Sequence, residues 1–114
     1  MPITGAHILL YSSEADRLRE VLSDVMQWRS VDAGDGWLIF ALPPAELGVH
    51  PADAPQHELS LMCDDIEATV SELRSKGIEF RGDIEHRGFG GVVTMLLPGG
   101  VEVLFYEPRH PTAI

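Results

Sequence analysis

The sequence is poor in cysteine and contains no long apolar run. A single cysteine, Cys63, occurs in 114 residues, so the chain cannot close a disulfide within itself. Reduced thiols are typical of the cytoplasm, and the first residues do not show the basic, apolar and small-residue order of a secretory signal peptide. No stretch reaches the about 18 apolar residues that a transmembrane helix needs. We therefore expect a cytoplasmic protein that has no membrane partner.

Basic residues are also scarce. Eight Lys and Arg side chains stand against 18 Asp and Glu, which gives a formal charge of −10 at pH 7. Nucleic acids and anionic membrane surfaces bind clustered cations, so this balance argues against both as partners. Two interpretations of the acidic excess stay open: it keeps the protein soluble, or it attracts a cationic small molecule.

Aromatic residues make up only 7% of the chain, whereas hydrophobic residues of all kinds reach 45%. This content lets a chain of this length bury a core of its own, so we expect one domain over residues 1–114. Most aromatic side chains are expected in that core. Cys63 directly follows an apolar segment and is interpreted as a packing residue rather than a nucleophile.

An internal repeat is the most informative feature that is present. His7 opens the apolar segment HILLY, and His57 opens a similar segment, HELSL. Each half then closes with an apolar run, a proline turn and a second apolar run. The order strand, helix and three strands is thus predicted twice, over about residues 5–50 and 57–107, with any pocket between the copies. Apolar residues at helical spacing follow the first strand of each copy, at Leu18, Leu22 and Val25 and at Ile66, Val70 and Leu73.

The predicted elements follow from this order. In the first copy they are a helix that ends near Met26 and strands over residues 6–11, 29–32, 37–42 and 46–50. In the second copy they are strands over residues 57–62 and 79–81, a helix over residues 65–75 and two strands that flank the Pro98 turn. Asp64 is the predicted N-cap of the second helix, because Glu67 lies three residues on, as in a capping box.

This order, with a histidine opening each copy, resembles the vicinal-oxygen-chelate superfamily, which includes glyoxalase I, extradiol dioxygenases, fosfomycin-resistance enzymes and bleomycin-resistance proteins. The most specific segments are residues 57–77, HELSLMCDDIEATVSELRSKG, and residues 88–108, GFGGVVTMLLPGGVEVLFYEP. The resemblance implies an α+β fold, in which two tandem βαβββ modules form curved mixed sheets around a cleft. Relatives of this length commonly dimerise, so the resemblance also implies a homodimer.

The resemblance further implies a divalent metal, Zn, Ni, Mn or Fe, in that cleft. In the enzymes, a histidine from each first strand and a carboxylate from each last strand commonly hold the ion. His7 and His57 match the two histidine positions. The two carboxylate positions hold Gly48 and Leu104, and neither residue can ligate a metal.

Neighbours of these positions are further candidates, because alternate residues of a strand share a face. His50 or Glu46 would complete a displaced metal site with the two histidines. Glu46 and Glu102 are the predicted general bases. The predicted ligand-binding residues are Tyr11, His50, Leu104 and Tyr106. The residues predicted to be solvated are His86, Glu107 and His110.

Three functions remain open. The first is a small-molecule-binding protein with metal-assisted lyase, isomerase or dioxygenase activity, in which the ion stabilises an enolate or activates oxygen. The second is a metal-free protein that sequesters a cationic or aromatic ligand such as an antibiotic, by electrostatic attraction and stacking. The third is a catalytically silent relative that associates with another protein, although no sequence feature marks a partner surface.

Overall fold

The chain folds into short helices and strands whose order follows the predicted repeat, and the α+β class is confirmed. A computed structural model describes residues 4–114. A π-helical turn over Val21–Val25 prolongs the first helix, so helical structure ends near Met26, as the sequence predicts. In chain order the helices and strands are α1 (Ala15–Glu20), β1 (Ser30–Asp32), β2 (Leu38–Phe40), β3 (Ser60–Met62), α2 (Ile66–Ser75), β4 (Glu79–Arg87), β5 (Gly90–Leu97) and β6 (Val101–Pro108).

The second half of the chain, residues 57–108, forms a complete strand–helix–three-strand unit. Its mixed sheet has the order β3-β6-β5-β4, with β3 parallel to β6 and the other neighbours antiparallel. α2 packs against one face of this sheet, where Val93, Met95 and Phe105 are buried. We call the opposite surface the open face; it carries Ser60, Thr94, Glu102, Leu104 and Tyr106.

α2 begins one residue later than predicted. The Asp65 carboxylate accepts a hydrogen bond from the Ala68 N–H at 3.1 Å, so Asp65 is the N-cap and the prediction of Asp64 is wrong. Gly77 follows the helix with a φ of 88°, which suits a C-terminal glycine. The buried residues of α2 lie at the predicted helical spacing: Ile66, Val70 and Leu73.

β4 is much longer than the predicted strand over residues 79–81. Its register with β5 is irregular between Arg81 and Glu85, and Gly82 has a φ of 71° within this stretch. A glycine in such a bulge interrupts the alternation of apolar residues without ending the strand. The sequence pattern therefore stops at residue 81, whereas the pairing continues to Arg87.

The first half, residues 4–50, forms fewer strands than predicted. β1 and β2 pair as a short antiparallel hairpin, but residues 6–11 and 46–50 form no strand. In the second half, the corresponding strands β3 and β6 pair with each other in parallel, and β6 also pairs with β5. The first half lacks this pairing within the chain, so the prediction of two strands at residues 6–11 and 46–50 is wrong for the isolated chain.

A clasp between the start of α1 and the β5–β6 turn joins the two halves. The Ser12 hydroxyl donates to the Pro98 carbonyl oxygen at 2.7 Å and accepts from the Glu14 N–H at 3.0 Å. The Glu14 carboxylate in turn accepts from the Gly99 N–H at 2.9 Å. A Cβ atom at Gly99 would overlap the Ser12 hydroxyl, so the glycine permits this close approach.

Ser12→Ala should therefore destabilise the protein. Loss of the hydroxyl leaves the half-buried Pro98 carbonyl without its partner, and we expect a decrease of about 1 kcal/mol in the free energy of unfolding. Urea denaturation measures this change. Ser13→Ala is the matched control, because Ser13 is exposed and forms no side-chain hydrogen bond in the described part of the chain. Equal stabilities of the two variants would rule out the clasp.

The core lies mainly in the second half, and the first half leaves much apolar surface exposed. Leu18 of α1 is the buried contribution of the first half to the main core cluster. The radius of gyration is 15.1 Å, above the value of about 13–14 Å expected for a compact chain of this length. None of the helices described in residues 4–114 is long and apolar enough to cross a membrane.

Candidate functional site

An apolar pocket lies between the two halves of the chain. Its volume is about 390 Å³, and it is bounded by residues 6–10, α1 and β2 on one side and by the core face of the second-half sheet on the other. Trp37 stands at its mouth with 61% of its surface exposed. Both tryptophans of the protein lie in its wall. We call this cavity the apolar pocket; residues that define it include Trp28, Trp37, Phe40, Leu61, Met95 and Val103.

Few polar side chains reach this pocket. Arg19 is the charged side chain in its described lining, and its guanidinium lies 5.9 Å from the centre of the Trp37 ring. Asp16, whose side chain is exposed, pairs with Arg19 at 2.8 Å. His7 adds a titratable ring to the wall. The acidic excess of the chain is thus located outside the pocket, and a positive group lies beside its aromatic mouth.

The predicted metal site is not assembled by these residues. Both histidines are exposed, but His7 lines the apolar pocket and His57 is not part of its lining. Within residues 4–114, no three His, Cys, Asp or Glu side chains are close enough to hold a metal ion. The described residues of a single chain therefore bring together no set of donors that fits a divalent cation.

The open face carries three residues predicted from the last strand. Glu102, Leu104 and Tyr106 lie on this face opposite Leu96, Thr94 and Val92 of β5, respectively. Glu102 forms an ion pair with Arg81 of β4, which is also exposed. This pairing occupies the carboxylate that we predicted as a general base. Leu104 and Tyr106 are half-buried.

Glu46 lies near enough to Tyr106 of the open face for its charge to act on the tyrosine. Burial raises the pKa of Tyr106, and the negative charge of Glu46 raises it further. His110 stacks on the Tyr106 ring with centroids 6.1 Å apart, and the two side chains are hydrogen-bonded at 3.4 Å. His110, which we predicted to be solvated, is exposed, but its contact with Tyr106 was not predicted. The sequence feature that could have indicated this contact is the pair of prolines near His110, Pro108 and Pro111, because proline restricts the backbone conformation.

The remaining predicted residues lie apart from both features. Tyr11 and His50 are exposed and do not line the apolar pocket. Glu107, which we predicted to be solvated, is half-buried and accepts a hydrogen bond from the Ile66 N–H at 3.1 Å. The prediction that Glu107 is solvated is wrong, because its carboxylate binds an N–H in the first turn of α2 that has no partner within the helix.

Two other predicted side chains have local roles. His86 accepts a hydrogen bond from the Arg109 guanidinium at 2.9 Å and lies 3.4 Å from a Glu67 carboxylate oxygen, so its predicted solvation is only partial. Burial raises the pKa of the Cys63 thiol, although a hydrogen bond with Thr69 opposes this effect. Cys63 is therefore a weakly ionised, half-buried residue, which suits packing better than nucleophilic attack.

The sequence matches no protein-family model and no curated protein. Its structure is similar to that of TnmS3, an antibiotic binding protein from a Streptomyces species, with a TM-score of 0.69 and 18% identity over 96% of this chain and 99% of that one. A lactoylglutathione lyase from Agrobacterium tumefaciens has a TM-score of 0.66 and 16% identity, with 94% and 96% of the two chains covered.

A third similar structure is a member of the glyoxalase/bleomycin resistance protein/dioxygenase superfamily from Sphaerobacter thermophilus. Its TM-score is 0.64 and its identity 18%, with 94% of this chain and 99% of that chain covered. In all three pairs the similarity extends over nearly the whole of both chains. The chain thus has a glyoxalase-like fold, as predicted.

Proposed function

We propose that this protein binds a small, largely uncharged aromatic molecule in the apolar pocket, and that binding needs no metal. The observation that carries this proposal is the pocket itself, whose wall contains Trp28, Trp37 and Phe40. Ligand pockets of drug-sized molecules typically measure about 300–1,000 Å³ and are mainly apolar, with a few polar groups that fix orientation. His7 and Arg19 are suitable polar groups here.

The charge of the lining favours an aromatic ligand over a cationic one. A cation inside the pocket would lie near Arg19, whose guanidinium already lies over the Trp37 ring and would repel a second positive charge there. A neutral ring can stack on the exposed part of Trp37, and an acceptor group on it can bond to Arg19 or His7. The similarity to an antibiotic-binding protein supports ligand sequestration as the use of such a pocket.

The alternative is a metal-assisted lyase, isomerase or dioxygenase, which the similarity to a lactoylglutathione lyase favours. Such activity would need His7 and His57 on one ion. The absence of His57 from the pocket lining that contains His7, and the glycine and leucine at the two carboxylate positions, weigh against it.

Intrinsic tryptophan fluorescence tests the binding proposal directly, because both tryptophans line the pocket. A panel of neutral aromatic compounds is titrated into the chelator-treated protein. Saturable quenching or a shift of the emission maximum is the expected result for at least one of them, with a parallel rise in melting temperature. A flat response to aromatic compounds, together with metal-dependent binding of 1,2-dicarbonyls or catechols, would instead favour the enzyme.

We also propose that the protein acts in the cytoplasm, where its single cysteine stays reduced.

We further propose that a second copy of this chain pairs with the unpaired segments of the first half, so that the protein is a homodimer. Apart from Phe89 and Ile114, the exposed large apolar residues of the described chain lie in the first half. Leu47 and Val49 are 91% and 89% exposed, in a segment that has no strand partner. Unpaired, apolar extended segments are surfaces on which another chain can add a strand.

A dimer predicts a specific pattern in analytical ultracentrifugation. The wild-type chain should sediment at twice its mass of 12.5 kDa. Leu47→Glu combined with Val49→Glu should weaken the dimer at least about tenfold, because the interface would bury two unpaired charges. Phe89→Glu is the control, since this exposed apolar residue lies in the β4–β5 turn, away from the unpaired segments. A wild-type chain that stays monomeric at the highest accessible concentration contradicts the proposal.

A further inference from the structure

Residues 109–114 fold back on the molecule after β6. At the start of this segment, the Arg109 N–H donates to the Phe89 carbonyl oxygen at 2.9 Å, and its guanidinium donates to His86 Nδ1 at 2.9 Å. These two bonds fix the point at which the segment leaves the sheet. We call residues 109–114 the strap.

Further along, the strap engages two of the predicted site residues. The Ala113 N–H donates to the Glu46 carboxylate at 2.6 Å, so the strap connects the end of the second half to the unpaired segment of the first half. The His110 ring lies beside the Tyr106 hydroxyl, with the two ring centroids 6.1 Å apart. His110 Nδ1 lies 2.8 Å from the Pro111 carbonyl oxygen, which can only accept, so Nδ1 carries the proton and Nε2 of the neutral ring accepts from the Tyr106 hydroxyl.

These contacts resemble those that a bound molecule would make. An aromatic ring contacts Tyr106 beside its hydroxyl, and a hydrogen-bond donor two residues beyond Pro111 meets the Glu46 carboxylate. We propose that the strap is an internal ligand that covers a second binding site, made of the Tyr106 ring and the Glu46 carboxylate, for an aromatic ring bearing an ammonium group. An ammonium group satisfies a carboxylate better than an amide N–H does, and it is also attracted to an aromatic face.

The strap can be displaced at low energetic cost. All of its residues are exposed, and none of them belongs to the buried core. Segments with exposed hydrogen bonds and few buried apolar contacts open locally at low cost, without unfolding of the rest. This site is separate from the apolar pocket, because neither Tyr106 nor Glu46 lines that pocket. The proposal therefore does not depend on the proposed function.

Hydroxyl-radical footprinting with peptide mass spectrometry tests the strap, since it reports exposure of a tyrosine independently of its ionisation. The chain has two tyrosines, and the 84% exposed Tyr11 is an internal reference for Tyr106. His110→Ala and Glu46→Ala should each raise oxidation of Tyr106 relative to Tyr11 about threefold, as expected when one modest contact that closes the strap is lost. Glu58→Ala, which removes the same charge from an exposed residue, should leave the ratio unchanged.

The ligand class is tested in the same assay. Benzylammonium added to the His110→Ala protein, in which Glu46 and Tyr106 are intact and the ring is gone, should return Tyr106 oxidation toward the wild-type ratio. Benzyl alcohol, which has the ring without the charge, should protect less. An unchanged ratio of Tyr106 to Tyr11 oxidation in both His110→Ala and Glu46→Ala would overturn the proposal that the strap covers Tyr106. Equal protection by the two compounds, or none by either, would overturn the proposed ammonium site.

Discussion

Gly90→Ala is expected to lower the free energy of unfolding by about 3 kcal/mol, because it forces backbone movement within the central sheet. Gly90 begins β5 opposite Pro108 of β6, and a Cβ atom at this position would overlap the Glu107 carbonyl oxygen. Its φ of 154° lies in a region that residues with a side chain rarely adopt. The obstacle is backbone rather than a flexible side chain, so local repacking cannot relieve it.

Gly88→Ala provides a matched control two residues away. A Cβ atom at Gly88 would meet no atom within 4 Å, and the residue does not have a left-handed φ. We expect its stability to equal or slightly exceed that of the wild type, because alanine reduces the freedom of the unfolded chain. Urea unfolding of both variants measures this difference. A Gly90→Ala protein as stable as Gly88→Ala would show that Gly90 does not approach the Glu107 carbonyl oxygen so closely.

The second large effect is expected at His7. His7→Ala should weaken binding of the aromatic ligand identified by tryptophan fluorescence about tenfold, because it removes a ring and a polar group from the pocket wall. His57→Ala should leave the dissociation constant unchanged, since His57 is not part of the pocket lining. Circular dichroism of each variant confirms that the fold is retained.

The same pair of variants separates the proposed function from its alternative. A metal held by both histidines would require both side chains, so each substitution would then abolish binding to a similar extent. Equal losses of binding in His7→Ala and His57→Ala would favour the metal-assisted enzyme. The chelator-treated wild-type protein should then regain binding when Zn, Ni, Mn or Fe(II) is added.

The sequence predicts the second half of the fold better than the first. Around α2, the helical spacing of Ile66, Val70 and Leu73, the Pro98 turn and the two flanking apolar runs all describe packing that occurs within this half. In the first half, residues 6–11 and 46–50 have the same apolar character, but strand formation needs a hydrogen-bonded neighbour that the chain itself does not supply. An apolar pattern indicates that a segment can form a strand. It does not indicate whether a neighbouring strand is present to pair with it.

The candidate site was predictable only in part, for a related reason. Alternation along β6 identifies Glu102, Leu104 and Tyr106 as residues of one face, because strand geometry is local. Contacts that depend on where a loop returns cannot be obtained in this way. The His110 ring on Tyr106 is of this kind, and so is the apolar pocket, which is lined by residues of both halves.

Metal dependence of ligand binding is the most direct test of the central claim. Tryptophan fluorescence titration of the same aromatic ligand is performed on protein stripped with a chelator and on protein supplied with Zn, Ni, Mn or Fe(II). Since the pocket wall is apolar and aromatic, with His7 the sole histidine in its described lining, we expect the same dissociation constant in every case. Binding that disappears in the stripped protein and returns with one of these metals would contradict the proposed function.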